Sequence, residues 1–129
     1  MLIGGVAALA AGLWFRSTRL APPPFDSTLR NPFPPTPASL AIGERIYRAN
    51  CESCHGMDGR GNGPAAATLN PRPVDFGIHA AMGHSDALLF HWISYGVQGT
   101  AMPAFARRLS AEERWHVLTF IRNFRPAAD

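Results

Sequence analysis

The chain has 129 residues, 47% hydrophobic and 16% charged, which is enough for one core and too few for two ordinary domains. Twelve prolines and twelve glycines exclude a long helical bundle or a regular sandwich and predict short elements joined by much loop. All 12 basic residues are Arg, against 9 acids; residues 38–129 hold nine of those Arg and eight acids, a near-neutral balance that lacks the clustered basic face of a nucleic-acid binder.

Residues 1–15 (MLIGGVAALAAGLWF) carry no charge, and the apolar character extends to Leu20 across Arg16 and Arg19. Fifteen helical residues reach about 22 Å against a hydrocarbon core of roughly 30 Å, and twenty suffice if the arginines snorkel. The positive charges follow the apolar run instead of preceding it, the reverse of a secretory signal. Residues 1–20 are therefore expected to be a retained transmembrane anchor in contact with membrane lipid; the alternative is a helix packed on a partner. Residues 21–37 (APPPFDSTLRNPFPPTP) contain seven of the twelve prolines and predict an extended linker.

Residues 38–129 form the expected folded domain, with three helices. Ser39 is placed as the cap of a first helix in which Ile42, Ile46 and Ala49 recur at helical spacing up to the cysteines. Ser85 and Asp86 open a second, carrying Leu88, Leu89, Trp92 and Ile93, which Gly96 stops. Ser110 and Glu113 form a capping box for a third, with Trp115, Leu118, Ile121 and Phe124 on one face and Pro126 as its end. No segment alternates with period two, so no sheet is expected and the fold class is all-α.

The only cysteines, Cys51 and Cys54, lie in CESCH, the CxxCH pattern of c-type haem attachment. Thiols one helical turn apart can bond to two carbons on one edge of the macrocycle, and His55 then lies beneath the iron as proximal ligand. A redox dithiol calls for a βαβ context and a zinc site for a second ligand pair; neither pattern is present, and the adjacent His is what haem attachment requires and these alternatives do not. Candidates for a sixth ligand are Met57, Met82, Met102 and the histidines His79, His84, His91 and His116. Met102 is favoured because it sits in the GTAMPAF loop after the second helix, stiffened by Pro103; Met57 is too close to His55 to reach the opposite face, and Met82 has no such proline. His79 and His84 are expected to be exposed in a loop, and His91 and His116 on helix surfaces. Trp92, Trp115, Phe105 and Phe120 are read as core.

CESCHG in a helix-led domain, GTAMPAF about fifty residues later and a closing helix resemble a small class I mono-haem cytochrome c over roughly residues 39–125. GNGPAAATLNPRPVDF between them resembles the cytochrome c subunits or domains of bacterial respiratory and photosynthetic membrane complexes. The resemblance implies one covalent haem c, a crossing of the first and last helices at Gly43 and Tyr47, and a Pro64 carbonyl that orients the proximal imidazole. It also implies that Leu69 packs on the haem and that Arg72 faces a propionate; the bland reading of Arg72 is a solvated loop arginine.

An iron that exchanges one electron, with no nucleophile paired to a base, predicts an electron carrier with no small-molecule substrate, working with subunits of a membrane-bound electron-transport complex. The alternatives are a haem sensor or peroxidatic protein with an exchangeable sixth ligand, and a mainly structural haem subunit. Arg16 and Arg19 point that end of the segment to the cytoplasm by the positive-inside rule. Haem attachment, which in the resembled family occurs outside the bacterial cytoplasmic membrane, places the domain on the periplasmic or extracytoplasmic side, and that argument is given precedence. The near-neutral domain has no lysine with which to steer a partner, so its electron-transfer rate should change little with ionic strength; a steep fall with added salt in stopped-flow oxidation would show electrostatic docking instead.

Overall fold

In the computed structural model, which describes residues 21–124, the chain stays extended apart from one turn at Ser27 and Thr28 until Thr36, where the first helix begins. The anchor expected over residues 1–20 and the stop expected at Pro126 lie outside the described residues. Among the described residues no helix is long and apolar enough to cross a membrane. There are five helices and no strand among them: α1 (Pro37–Asn50), α2 (Glu52–His55), α3 (Phe76–Ala81), α4 (Asp86–Tyr95) and α5 (Ala111–Ile121), with a 3-10 turn at Ala66–Thr68.

Helix α1 is capped by Thr36, whose side chain accepts from the Ser39 amide, with Pro37 in the first turn, where its missing N–H costs nothing. Ser39 is thus not the cap: it is buried inside the helix, and its hydroxyl shares a 2.8 Å hydrogen bond with His116 Nδ1. Ser85 caps α4, and Gly96, at φ 77°, ends it. Ser110 and Glu113 close the capping box of α5 in both directions. That helix stops at Ile121 with Arg122 as its C-cap, and Phe124 packs against the core from beyond its end. The two short helices α2 and α3 are additions to the three predicted, since helices of four and six residues are too brief to show a period.

Helices α1 and α5 make the principal contact of the fold, and a glycine permits it. A methyl group at Gly43 would collide with the His116 carbonyl and lie 2.7 Å from Phe120 Cβ. Tyr47, one turn on, is fully buried and donates a 2.7 Å hydrogen bond to the Gly56 carbonyl, tying the helix pair to the end of α2. Helix α4 leans on α5 through Phe90 stacked on Trp115, with ring centroids 3.7 Å apart. Buried Arg114 lies over the Phe90 ring at 4.8 Å and donates to Ser94 Oγ and the Ser110 carbonyl.

The Pro-rich segment is packed along part of its length. Asn31 Nδ2 donates to Thr119 Oγ1 at 2.9 Å, that hydroxyl donates to the Phe33 carbonyl at 2.9 Å, and the Phe33 ring lies 4.0 Å from that of His116. His116 is only 6% exposed, so it belongs to the α1–α5 interface and not to a helix surface. Gly43→Ala should destabilise the domain by about 3 kcal/mol, the upper end of ordinary overpacking, because its neighbours there are backbone and Cβ atoms that cannot swing away. Urea unfolding measures this, and a loss below about 1 kcal/mol would mean that the helices can separate without penalty.

Candidate functional site

CESCH forms a single helical turn between α1 and the following loop. The Cys51 amide closes α1 on the Tyr47 carbonyl, and the Cys51 carbonyl accepts from Cys54 and His55. Three residues of spacing therefore put the two sulfurs on one side of the turn, with His55 next along. The loop then folds back: the amides of Gly61, Gly63 and Ala65 donate to the carbonyls of His55, Cys54 and Ser53. The chain approaches so closely that a methyl at Gly63 would meet the Ser53 and Glu52 backbone.

Opposite this turn, Gly96 reverses the chain after α4. Phe105 and Ala106 donate to the carbonyls of Ile93 and Ser94, which returns the 97–105 loop along its parent helix. Thr100 Oγ1 donates to the Val97 carbonyl at 2.8 Å and accepts from the Met102 amide at 3.2 Å, fixing the backbone that carries Met102. A cavity of about 270 Å³ lies between the two walls. Cys51, Cys54, His55, Leu69, Arg72 and Met102 all line it, whereas Pro64 is exposed and does not. Of the other candidates for a sixth ligand, Met57 and Met82 are 72% and 63% exposed and do not line the cavity, whereas His79, half-buried on α3 and not exposed in a loop as expected, does line it.

The remaining lining is mostly apolar, with Phe76, Leu89, Trp92, Ile93, Phe105 and Leu118 prominent. Phe105 and Trp115 are core, and Phe120 is packed against that core, while Trp92 sits at the cavity edge. Val74 and Phe76 went unnoticed in the sequence as lining residues, although Asp75, which caps α3 by accepting from the Gly77 and Ile78 amides, is a legible helix start. Arg122 was missed too; it lines the cavity while paired with Asp86 at 2.7 Å, an arrangement with no local signal because 36 residues separate the partners.

The electrostatics favour neutral groups. Burial, reinforced by Cys54, pushes the Cys51 thiol up to about 12. Burial also holds the His55 imidazole below its ordinary value, with the Val74 backbone partly opposing it. The His55 ring stacks on Phe76 with centroids 4.4 Å apart, and its Nδ1 is buried with no hydrogen-bond partner among the described residues. Two thiols, an imidazole with an unsatisfied buried nitrogen and a thioether around an apolar void form a donor set that fits a flat, mostly apolar macrocycle with an iron at its centre.

Residues 38–121 match the family described as cytochrome C oxidase, cbb3-type, subunit III. The chain is 33% identical over 85 residues to cytochrome c6 of Synechococcus elongatus, covering 65% of this chain and 88% of that protein. It is 30% identical over 92 residues to the cytochrome bc1 complex cytochrome c subunit of Corynebacterium diphtheriae, covering 67% of this chain and 28% of that subunit. Among solved structures it is similar to a chain of the Kuenenia stuttgartiensis reducing HAO-like protein complex, with 31% identity and a TM-score of 0.65 over 81% of this chain and 50% of that one. The chain thus spans most of a small cytochrome but half or less of the larger relatives. Replacing both Cys51 and Cys54 by Ser should abolish haem staining of the band after denaturing electrophoresis; retained staining would mean attachment elsewhere.

Proposed function

Because the chain belongs to the cytochrome c family, through its cbb3-type subunit III domain over residues 38–121, we propose that it is a one-electron carrier in which His55 and Met102 would hold the haem iron. The family binds haem c covalently, and Cys51 and Cys54 have the spacing that this attachment requires. The reading rests on one observation above all: the CESCH turn and the Met102 loop line the same cavity. When bound, haem c supplies an iron that passes between ferric and ferrous states by exchange of one electron.

The residues of this chain bind, orient and shield. Cys51 and Cys54 would hold the macrocycle by one edge, and the 97–105 loop would bring the Met102 thioether from the other side. Leu69, Trp92, Ile93 and Phe105 would exclude water, which together with a thioether ligand favours the ferrous form. Arg72, exposed but on the lining, would offer its guanidinium to a propionate. Pro64 is kept as the residue whose carbonyl orients the proximal imidazole; the unpaired His55 Nδ1 is the donor this role calls for.

The reading extends to place. Residues 1–20 would anchor the chain in a bacterial cytoplasmic membrane, residues 21–37 would link it, and the 38–129 domain would relay electrons on the periplasmic or extracytoplasmic side within a membrane-bound complex. Similarity to a cytochrome bc1 complex subunit and to a chain of a multi-protein complex supports a fixed relay over a free shuttle. Met102→Ala should remove the methionine–iron absorption band, make the reduced protein bind carbon monoxide and lower the potential by on the order of 100 mV, part of the roughly 0.8 V that axial ligation spans. An unchanged spectrum and potential would exclude Met102, and ready carbon monoxide binding by the native protein would favour the sensor or peroxidatic alternative.

A further inference from the structure

We propose that His79 and His84 form a binding site for a divalent transition-metal ion of the imidazole-preferring class, such as Zn²⁺ or Cu²⁺, at the edge of the cavity wall and separate from the haem ligands. The sequence places both histidines near a turn with no visible pairing, but the fold brings them together. His79 lies in the last turn of α3, His84 immediately precedes the α4 cap Ser85, and their Nδ1 atoms face each other at 2.9 Å. The ring centroids are 4.8 Å apart with the planes inclined by 44°, so the rings are tilted against each other and not stacked.

Metal–imidazole bonds of about 2.0–2.1 Å, meeting at angles between square and tetrahedral, bring two ligating nitrogens to roughly 2.9–3.4 Å. The two Nδ1 atoms are already at that separation. Without a metal, one Nδ1 must carry a proton and donate it to the other. Moving that proton to Nε2 of the same ring frees the second lone pair, so a cation can take both nitrogens without net proton release. Burial and the neighbouring His84 keep His79 below its ordinary value, and Asp75 opposes this weakly, so its neutral, ligating form prevails at neutral pH.

The pair is also held in place from outside. Arg122 Nη2 donates to the His84 carbonyl at 2.6 Å, and Arg122 Nε donates to Asp86 at 2.8 Å, which fixes the turn before α4. Trp92 meets both rings edge-on, with centroids 5.2 Å from His84 and 6.1 Å from His79. A preset pair of nitrogens loses less freedom on binding than two exposed histidines would. Among the described residues no cluster of three or more metal-ligating side chains occurs, so the remaining positions go to water or to a side chain of a partner protein, which suits an exchangeable ion and not a structural one.

The test is Cu²⁺ and, separately, Zn²⁺ titration of the haem-loaded protein. One equivalent should bind, the Cu²⁺ paramagnetic resonance spectrum should show two coupled nitrogens, and substoichiometric Cu²⁺ should broaden the imidazole signals of His79 and His84 before those of His91. His79→Gln and His84→Gln should each lose the bound equivalent while His91→Gln keeps it, with unaltered far-ultraviolet circular dichroism and thermal unfolding confirming that the variants fold. Absence of a stoichiometric site in the native protein, or earlier broadening of His91, overturns the proposal whatever the variants do. Binding retained in a folded His84→Gln variant overturns it as well.

Discussion

The backbone contact at Gly43 is the constraint on which the remaining architecture depends. Helices α1 and α5 approach so closely there that the His116 carbonyl occupies the space a side chain would fill, and the pair forms a rigid frame. The CESCH turn is fastened to that frame by the Cys51 amide and the Tyr47 hydroxyl, and α4 by the Phe90–Trp115 stack. The Met102 loop depends on α4 in turn, through Phe105 and Ala106. Opposite walls of the cavity are therefore positioned by one helix crossing, although neither wall is built from it alone.

The interior is a shell of apolar and aromatic side chains arranged around a space. Tyr47, Phe76, Phe120 and Phe124 form one group at contact distances between 5.2 and 6.3 Å, with His55 resting on Phe76, while Phe90 and Trp115 form another. A protein interior normally fills to crystal-like density. The apolar cavity among so many large side chains suits the covalent haem that the family binds, which is why the fold and the cofactor have to be understood together.

Much of this was legible because it is local. CESCH is a five-residue pattern, the Ser85 and Ser110 caps act within one turn, and the proline density of residues 21–37 fixes an extended path without reference to anything else. Gly43 and Tyr47 followed only from family resemblance. What was missed depends on distant partners or on very short elements. Thr36 outcompeted Ser39 as the cap because Ser39 is claimed by His116, 77 residues away. His116 looked like a surface residue because α5 is buried nearly all round past its first turn and not along one face, and the ring that covers it, Phe33, comes from a segment that composition describes as mere spacer. The approach of His79 to His84 depends on how α3 turns into α4, which no periodicity encodes.

The packing of Asn31 and Phe33 on α5 changes what an anchored chain could do with its domain. A free Pro-rich strap of seventeen residues, at about 3.1 Å per residue, would hold its load up to roughly 50 Å away and let it tumble through all orientations. Asn31 and Phe33 are fixed to Thr119 and His116, and Phe25 lies close to His91, so the strap is held against the domain along part of its length. The free length between the domain and whatever precedes residue 21 is therefore shorter than composition alone implies, and the segment leaves the domain from a fixed face beside α5, which narrows the orientations a tethered domain would have to search.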